Sequence, residues 1–277
     1  LGTSYLEGYE TDQDYKKALF WLSRAARNDL PMAQFCIGVI FYYGFGVSKD
    51  YKKALSSFKR SIELGVQDLK GFSGWGNMDV ATFIGEIYYF GENGVSQDLE
   101  QAFSWISKAV ELEDFRAQSL LAEMYYFAKG TPQDYKKAFS LFSKAAEKGG
   151  VNDQANLGWM YYSGEGVLQD FKKAMYWSNI AAEKGSTSAL HNVASMYLNG
   201  YGVVKDDKMF FSCHLKAAKA GDLESQNQVM GCYNGGFGVA ASKKDAAYWG
   251  NEARKNGSQI AEKYLKDYEL WKYLEKH

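Results

Sequence analysis

Cysteine is scarce in this chain: Cys36, Cys213 and Cys232 are the only three, an odd number at unrelated spacings, so no disulfide framework can be built from them. They leave the redox compartment open. No apolar run reaches 18 residues, which excludes a bilayer-spanning helix. The first residues also lack the charged, apolar and small-residue succession of a secretory signal. Neither charge is in excess, since 32 Lys and Arg face 33 Asp and Glu. Without an overall field, the chain is not expected to bind nucleic acid or insert into a membrane. Histidine is equally sparse. His191, His214 and His277 are scattered and no His/Cys cluster has ligand spacing, so neither a metal nor any other cofactor is expected.

What the sequence has in quantity is apolar and aromatic residues, 46% and 16% of the chain, and a strict internal repeat. An Asp-aromatic-Lys-Lys-Ala block stands at Asp14, Asp50, Asp134 and Asp170 and recurs in weaker form at Asp98, Asp206 and Ser242. Every gap is 36 residues except Asp50 to Asp98, which is 48. A fixed period of this size marks a stacked array in which each unit buries its apolar face only against neighbours. The whole of 1–277 reads as one such array.

One unit can be parsed from residues 32 to 65. Ala33, Ile37, Ile40 and Phe41 form the stripe of a first helix, A, which stops at the turn Gly44-Phe45-Gly46. Asp50 then caps a second helix, B, striped by Ala54, Leu55, Phe58 and Ile62 and closed by Gly65. A small residue inside helix A (Gly38, Gly85, Ala122, Gly158 or Ala194) is followed three positions later by an aromatic, a pattern suited to close helix packing. Trp177 on a later helix B reads as core. The 12 extra residues fall mostly between Gly65 and Val80, a Gly-rich insert of about 66–78 that carries Phe72 and Trp75 as candidate contact residues. Residues 259–275 read as a C-terminal capping helix, and Leu1 through Gly8 match the late part of a helix A, so the array is expected to begin mid-repeat.

The string from Ala189 through Gly221, with its small-residue-then-tyrosine helix, Gly-x-Gly-Val turn, Asp cap and Lys-Ala-Ala ending, resembles the Sel-1-like repeat family. The resemblance implies an all-α, right-handed superhelical solenoid of about seven helix pairs related to tetratricopeptide arrays. It also implies an adaptor role, with a partner protein or peptide, which includes toxic effectors of rival bacteria for an immunity or inhibitor protein, or host proteins. A bacterial periplasmic or exported location is favoured. Cysteine-rich members carry a bonded pair in each repeat and behave as penicillin-binding hydrolases; this chain lacks those pairs.

The chemistry-bearing fragments are weak. Ser56 and Lys59 spell S-x-x-K on helix B without the companion motifs of a serine hydrolase, and the Gly-x-Gly turns lack the Gly-Lys-Ser/Thr ending of a phosphate loop. No nucleophile, base and orienting group can be nominated together, so no enzyme activity is expected. The expected binding surface is the inner face made by the A helices, with Phe35, Tyr43, Glu86, Phe90, Glu123, Phe127, Trp159, Tyr162 and His191 as contact residues. The pairs Tyr42-Tyr43, Tyr89-Phe90 and Tyr126-Phe127 exceed what stacking alone would need, and Glu86 and Glu123 suggest a basic or amphipathic partner segment.

Overall fold

In the computed structural model the described residues are 1–9, 11–66, 79–111 and 114–274, without the side chain of Phe115. Phe72 and Trp75 of the insert, and His277, lie outside them. Helices come in pairs: α1 (Gly2–Glu7) with α2 (Tyr15–Ala26), α3 (Pro31–Tyr43) with α4 (Tyr51–Glu63), α5 (Val80–Phe90) with α6 (Leu99–Glu111), and α7 (Phe115–Tyr126) with α8 (Tyr135–Glu147). They continue as α9 (Val151–Ser163) with α10 (Phe171–Glu183), α11 (Thr187–Asn199) with α12 (Asp207–Lys219), and α13 (Leu223–Gly235) with α14 (Lys243–Lys255). A last helix, α15 (Gln259–Asp267), is followed by a 3₁₀ turn over Leu270–Tyr273. No strand occurs among the described residues. The chain forms two compact units, Leu1–Leu141 and Phe142–His277, with the boundary inside α8.

Each hairpin is closed the same way, and the closure explains the repeated block. An aspartate stands ahead of six B helices and Ser242 ahead of the seventh, and the side chain accepts from N–H groups of the first helical turn, as Asp14 does from Lys16 and Lys17, Asp170 from Lys172 and Lys173, and Ser242 from Asp245. Such caps contribute about 1 kcal/mol each. The backbone N–H of the cap residue reaches back to the carbonyl of the recurrent A-helix aromatic: Asp14 to Tyr5, Asp50 to Phe41, Asp98 to Tyr88, Asp134 to Tyr125, Asp170 to Tyr161, Asp206 to Tyr197 and Ser242 to Tyr233, all at 2.8–3.0 Å. In four hairpins the second lysine of the block pairs with the capping carboxylate and lies over that same ring: Lys17 over Tyr5, Lys53 over Phe41, Lys137 over Tyr125 and Lys173 over Tyr161, at 4.9–5.4 Å. The alanine of the block is fully buried in each of these four.

The small residue of helix A faces the eighth residue after the B-helix cap. A methyl on Gly38 would lie 2.5 Å from the Phe58 ring, and one on Gly85 2.5 Å from Ile106, so neither position admits alanine without a shift. The last hairpin inverts the arrangement: Met230 takes the small-residue position and Gly250 stands opposite, where a methyl would come within 2.9 Å of the methionine sulfur. In the turns, Gly44 and Gly46 take left-handed backbone at φ 78° and 65°. Ala128 occupies the place of Gly44 in its own repeat at φ 55°, and its side chain is exposed.

The core of Leu1–Leu141 is aromatic at its centre, where Phe35 meets Phe58 and Phe83 at ring centroid distances of 5.8 and 6.0 Å. The core of Phe142–His277 is built instead from Ala, Val, Met and Phe210 and Phe211. Trp177, expected in that core, is only half-buried; its neighbour Tyr176 stands in solvent and meets it edge-on at 5.2 Å. Leu270 of the terminal 3₁₀ turn is fully buried and packs with Ala246, Ala247 and Leu265.

Candidate functional site

The A helices join one another through side chains at fixed offsets from their small residue. The tyrosine four positions on gives its hydroxyl to the residue one position past the small residue of the next A helix. Tyr42 donates to Glu86 at 2.6 Å and Tyr89 to Glu123 at 3.5 Å, while the Tyr162 hydroxyl and Ser195 Oγ are 3.3 Å apart. Three positions before the small residue a second rung forms with the cap of the following A helix: Thr82 Oγ1 donates to Asp114 at 2.6 Å, and His191 Nε2 lies 2.9 Å from Asp222. Ser258 Oγ, itself a cap, donates to Asn227 at 2.8 Å.

This ladder redistributes the expected contact residues. Phe35 is fully buried between α4 and α5 rather than open on the A face, because its ring fills the aromatic centre of the core. Glu86 is also buried, held by Tyr42 and by Arg116 Nη2 at 2.5 Å. Burial pushes its carboxyl above the usual range, against the opposing pull of Arg116 and Tyr42, while burial and then the facing carboxylate push the Tyr42 phenol up. A carboxylate so enclosed offers a basic partner nothing. Tyr42 and Tyr89 are buried as well, so stacking does use the first ring of each of those aromatic pairs. Glu123 is half-buried at the end of the Tyr89 rung.

Phe90 and Phe127, five positions past the small residue, are exposed, and so is Trp159, one position past it. Tyr43 is half-buried and stacked on Phe45 at 5.2 Å. In Leu1–Leu141, Lys129 Nζ lies 5.4 Å over Phe127 and donates to the Tyr89 hydroxyl at 2.7 Å, while Phe90 meets Tyr89 edge-on at 5.1 Å. In Phe142–His277, Trp159 stacks on half-buried Tyr162 at 5.4 Å and 28°. The exposed rings are therefore seated on residues the ladder holds fixed.

His191 is half-buried in a polar node. Its Nε2 lies 2.9 Å from both Asp222 Oδ1 and Ser225 Oγ, and Ser225 Oγ is 3.0 Å from Nδ1 of buried His214. Burial, then the neighbouring His191, brings the His214 pKa down to about 4, so this ring is neutral at pH 7. Ser225 is fully buried, so no substrate reaches its hydroxyl. The node ties α11, α12 and α13 together.

Arg116, Lys129, Asp222 and Ser225 escape sequence reasoning. Arg116 alone left a trace, as the only Lys or Arg within helices α1, α3, α5, α7, α9, α11 and α13. Lys59 of the S-x-x-K fragment donates to the Tyr88 hydroxyl at 2.9 Å and sits over that ring. The three cysteines are buried and free; burial pushes the Cys36 thiol up to about 12 and Cys213 and Cys232 to about 11. Among the described residues no group of three or more His, Cys, Asp or Glu could hold a metal, and no helix is long and apolar enough to cross a membrane.

The Sel1 repeat matches residues 1–30, 31–66, 79–114, 116–150, 152–186, 187–222 and 230–258. The chain belongs to the Sel1 repeat family. Sel1 repeat proteins are typically protein-interaction modules and generally non-catalytic. Among solved structures, a protective antigen of uropathogenic Escherichia coli strains displaying an SLR fold is similar at 27% identity and a TM-score of 0.77, over 96% of this chain. The chain spans 54% of that protein's length. A Sel1 repeat protein of Oxalobacter formigenes is similar at 28% identity and a TM-score of 0.73, over 96% of this chain and 74% of its own. No curated protein matches.

Proposed function

We propose that this Sel1 array is a non-catalytic binding module whose A-helix face holds a segment of another protein. Phe90 and Phe127 are the anchors in Leu1–Leu141, and Trp159 with Tyr162 in Phe142–His277. The observation that carries the reading is the contrast within each unit: in Leu1–Leu141 Tyr42 and Tyr89 are buried in the ladder while Phe90 and Phe127 project into solvent, and in Phe142–His277 Trp159 projects from half-buried Tyr162. Rings held in place in this way bury large areas with little loss of rotamer freedom, and truncating such anchors costs about 2 kcal/mol or more of binding.

Because Glu86 is enclosed and paired, the partner segment is recognised by apolar side chains rather than by basic charge. Affinity capture on the immobilised chain, compared with a folded Phe127→Ala plus Trp159→Ala variant, tests the reading. The partner taken by the parent chain is expected to be lost from the variant; equal capture by both would remove the A face from consideration.

A further inference from the structure

The balance of charge over the whole sequence conceals a segregation between helix types. The seven B helices hold 20 Lys and Arg against 8 Asp and Glu, whereas α1, α3, α5, α7, α9, α11 and α13 hold Arg116 against five carboxylates. Part of the B-helix charge is used internally, since Lys17, Lys53, Lys137 and Lys173 neutralise their caps. The lysine one position earlier is different. Within Phe142–His277, Lys172, Lys208 and Lys244 recur once per repeat, are exposed, and pair with no carboxylate among the described residues.

One helical turn further on, the same exposed face carries rings. Tyr176 is 60% exposed and Tyr248 54%, each set edge-on against the following tryptophan at 5.2 and 5.3 Å. In Leu1–Leu141 the pattern stands independently on α2, where Lys16 precedes Phe20, 55% exposed and edge-on to Trp21 at 5.4 Å. There Arg24 lies 5.8 Å over Phe20 and 5.5 Å over Trp21, beside a concavity of about 570 Å³ that Lys16, Leu19, Phe20, Ser23, Arg24 and Arg27 line. The fold does not require these rings. The equivalent position is serine in the other four B helices, Ser56, Ser104, Ser140 and Ser212, and all four are exposed. Three large exposed rings at a position where serine suffices, each four residues past an unpaired lysine, call for an occupant.

We infer that the B-helix face of Phe142–His277 is a second docking surface, distinct from the A face, for an extended acidic segment of a partner protein that also carries apolar side chains. Charge complementarity selects the occupant: α10, α12 and α14 together hold nine Lys and Arg and only four carboxylates, of which Asp207 pairs with Lys205 and Glu252 with Lys255. Successive lysines are one 36-residue repeat apart, on α10, α12 and α14. A segment in polyproline II conformation repeats its side-chain direction every three residues, so acidic side chains at every third position share the side that faces the lysines. Apolar residues between the acids reach Tyr176 and Tyr248.

The test uses the full chain and a fluorescein-labelled peptide of about twelve residues with glutamate at every third position and leucines between, read by anisotropy. The control peptide has glutamine for each glutamate. The acidic peptide is expected to bind about tenfold tighter, less so as salt is raised. Lys172→Glu, Lys208→Glu and Lys244→Glu together are expected to abolish that difference. Tyr176→Ser with Tyr248→Ser, which installs the residue the other repeats already use and is checked for helicity by circular dichroism, is expected to weaken binding about fivefold. The Phe127→Ala plus Trp159→Ala variant is expected to bind the acidic peptide as the parent does. Equal affinity for both peptides, indifference to the lysine and tyrosine changes, loss of binding in the A-face variant, or binding of phosphatidylserine vesicles in place of the peptide would each overturn the inference.

Discussion

At the scale of single residues, the repeat shows where the chain departs from its own rule. Ala128 holds left-handed backbone where Gly44 and Gly164 stand in sister repeats. An L side chain in that conformation costs about 1 kcal/mol, and this one is exposed, so nothing is gained by its methyl. Ala128→Gly is therefore expected to raise stability by about 1 kcal/mol, less the added freedom glycine brings to the unfolded chain. Urea denaturation of the two proteins, with an unchanged m-value, measures it. A loss of stability would show that the turn is not strained.

At the scale of helices, hairpin closure was legible in the sequence and the ladder between A helices was not. The cap aspartates, the Gly-x-Gly turns and the close contacts at Gly38 and Gly85 follow from local spacing, because each involves residues within one 36-residue unit. The burial of Phe35, Tyr42 and Glu86 depends on partners in the following repeat, such as Phe83 and Arg116, whose offset differs from one repeat to the next. Phe90, Phe127 and Trp159 stay exposed. Trp177 departs from the core expectation for a related reason: its slot is buried at Cys213 and Trp249 but half-open beside Tyr176. The inverted pair in the last hairpin supplies a test at this scale. Gly250→Ser alone is expected to cost about 1 to 3 kcal/mol by overpacking against Met230 and Leu265. Combined with Met230→Gly, which restores the Gly and Ser pairing of Gly158 and Ser178, it is expected to cost less than the sum of the single changes by about 1 kcal/mol. Strict additivity in denaturant titrations would show that the two side chains do not compete for one volume.

At the scale of the molecule, the substantial packing runs between helices adjacent or nearly adjacent in the chain, so disturbances are expected to stay local. Phe58→Ala, which empties a fully buried site against Gly38, Phe35 and Phe83, is expected to cost about 3 to 5 kcal/mol locally. Amide exchange should accelerate in α3, α4 and α5 while α11 to α14 keep their protection. Uniform acceleration along the chain would mean a single cooperative unit. The backbone bond from each B-helix cap to its A-helix aromatic carries a further implication for grafting foreign sequence. That tie spans nine residues in six hairpins and ten in the one bounded by Tyr88 and Asp98, so the inner bends tolerate almost no added length. The bulk of the extra dozen residues was instead taken up where one hairpin hands over to the next, after Gly65. An epitope, tag or sensor peptide spliced into such a handover leaves every tie intact, whereas the same splice at Phe45 or Glu165 would pull one apart.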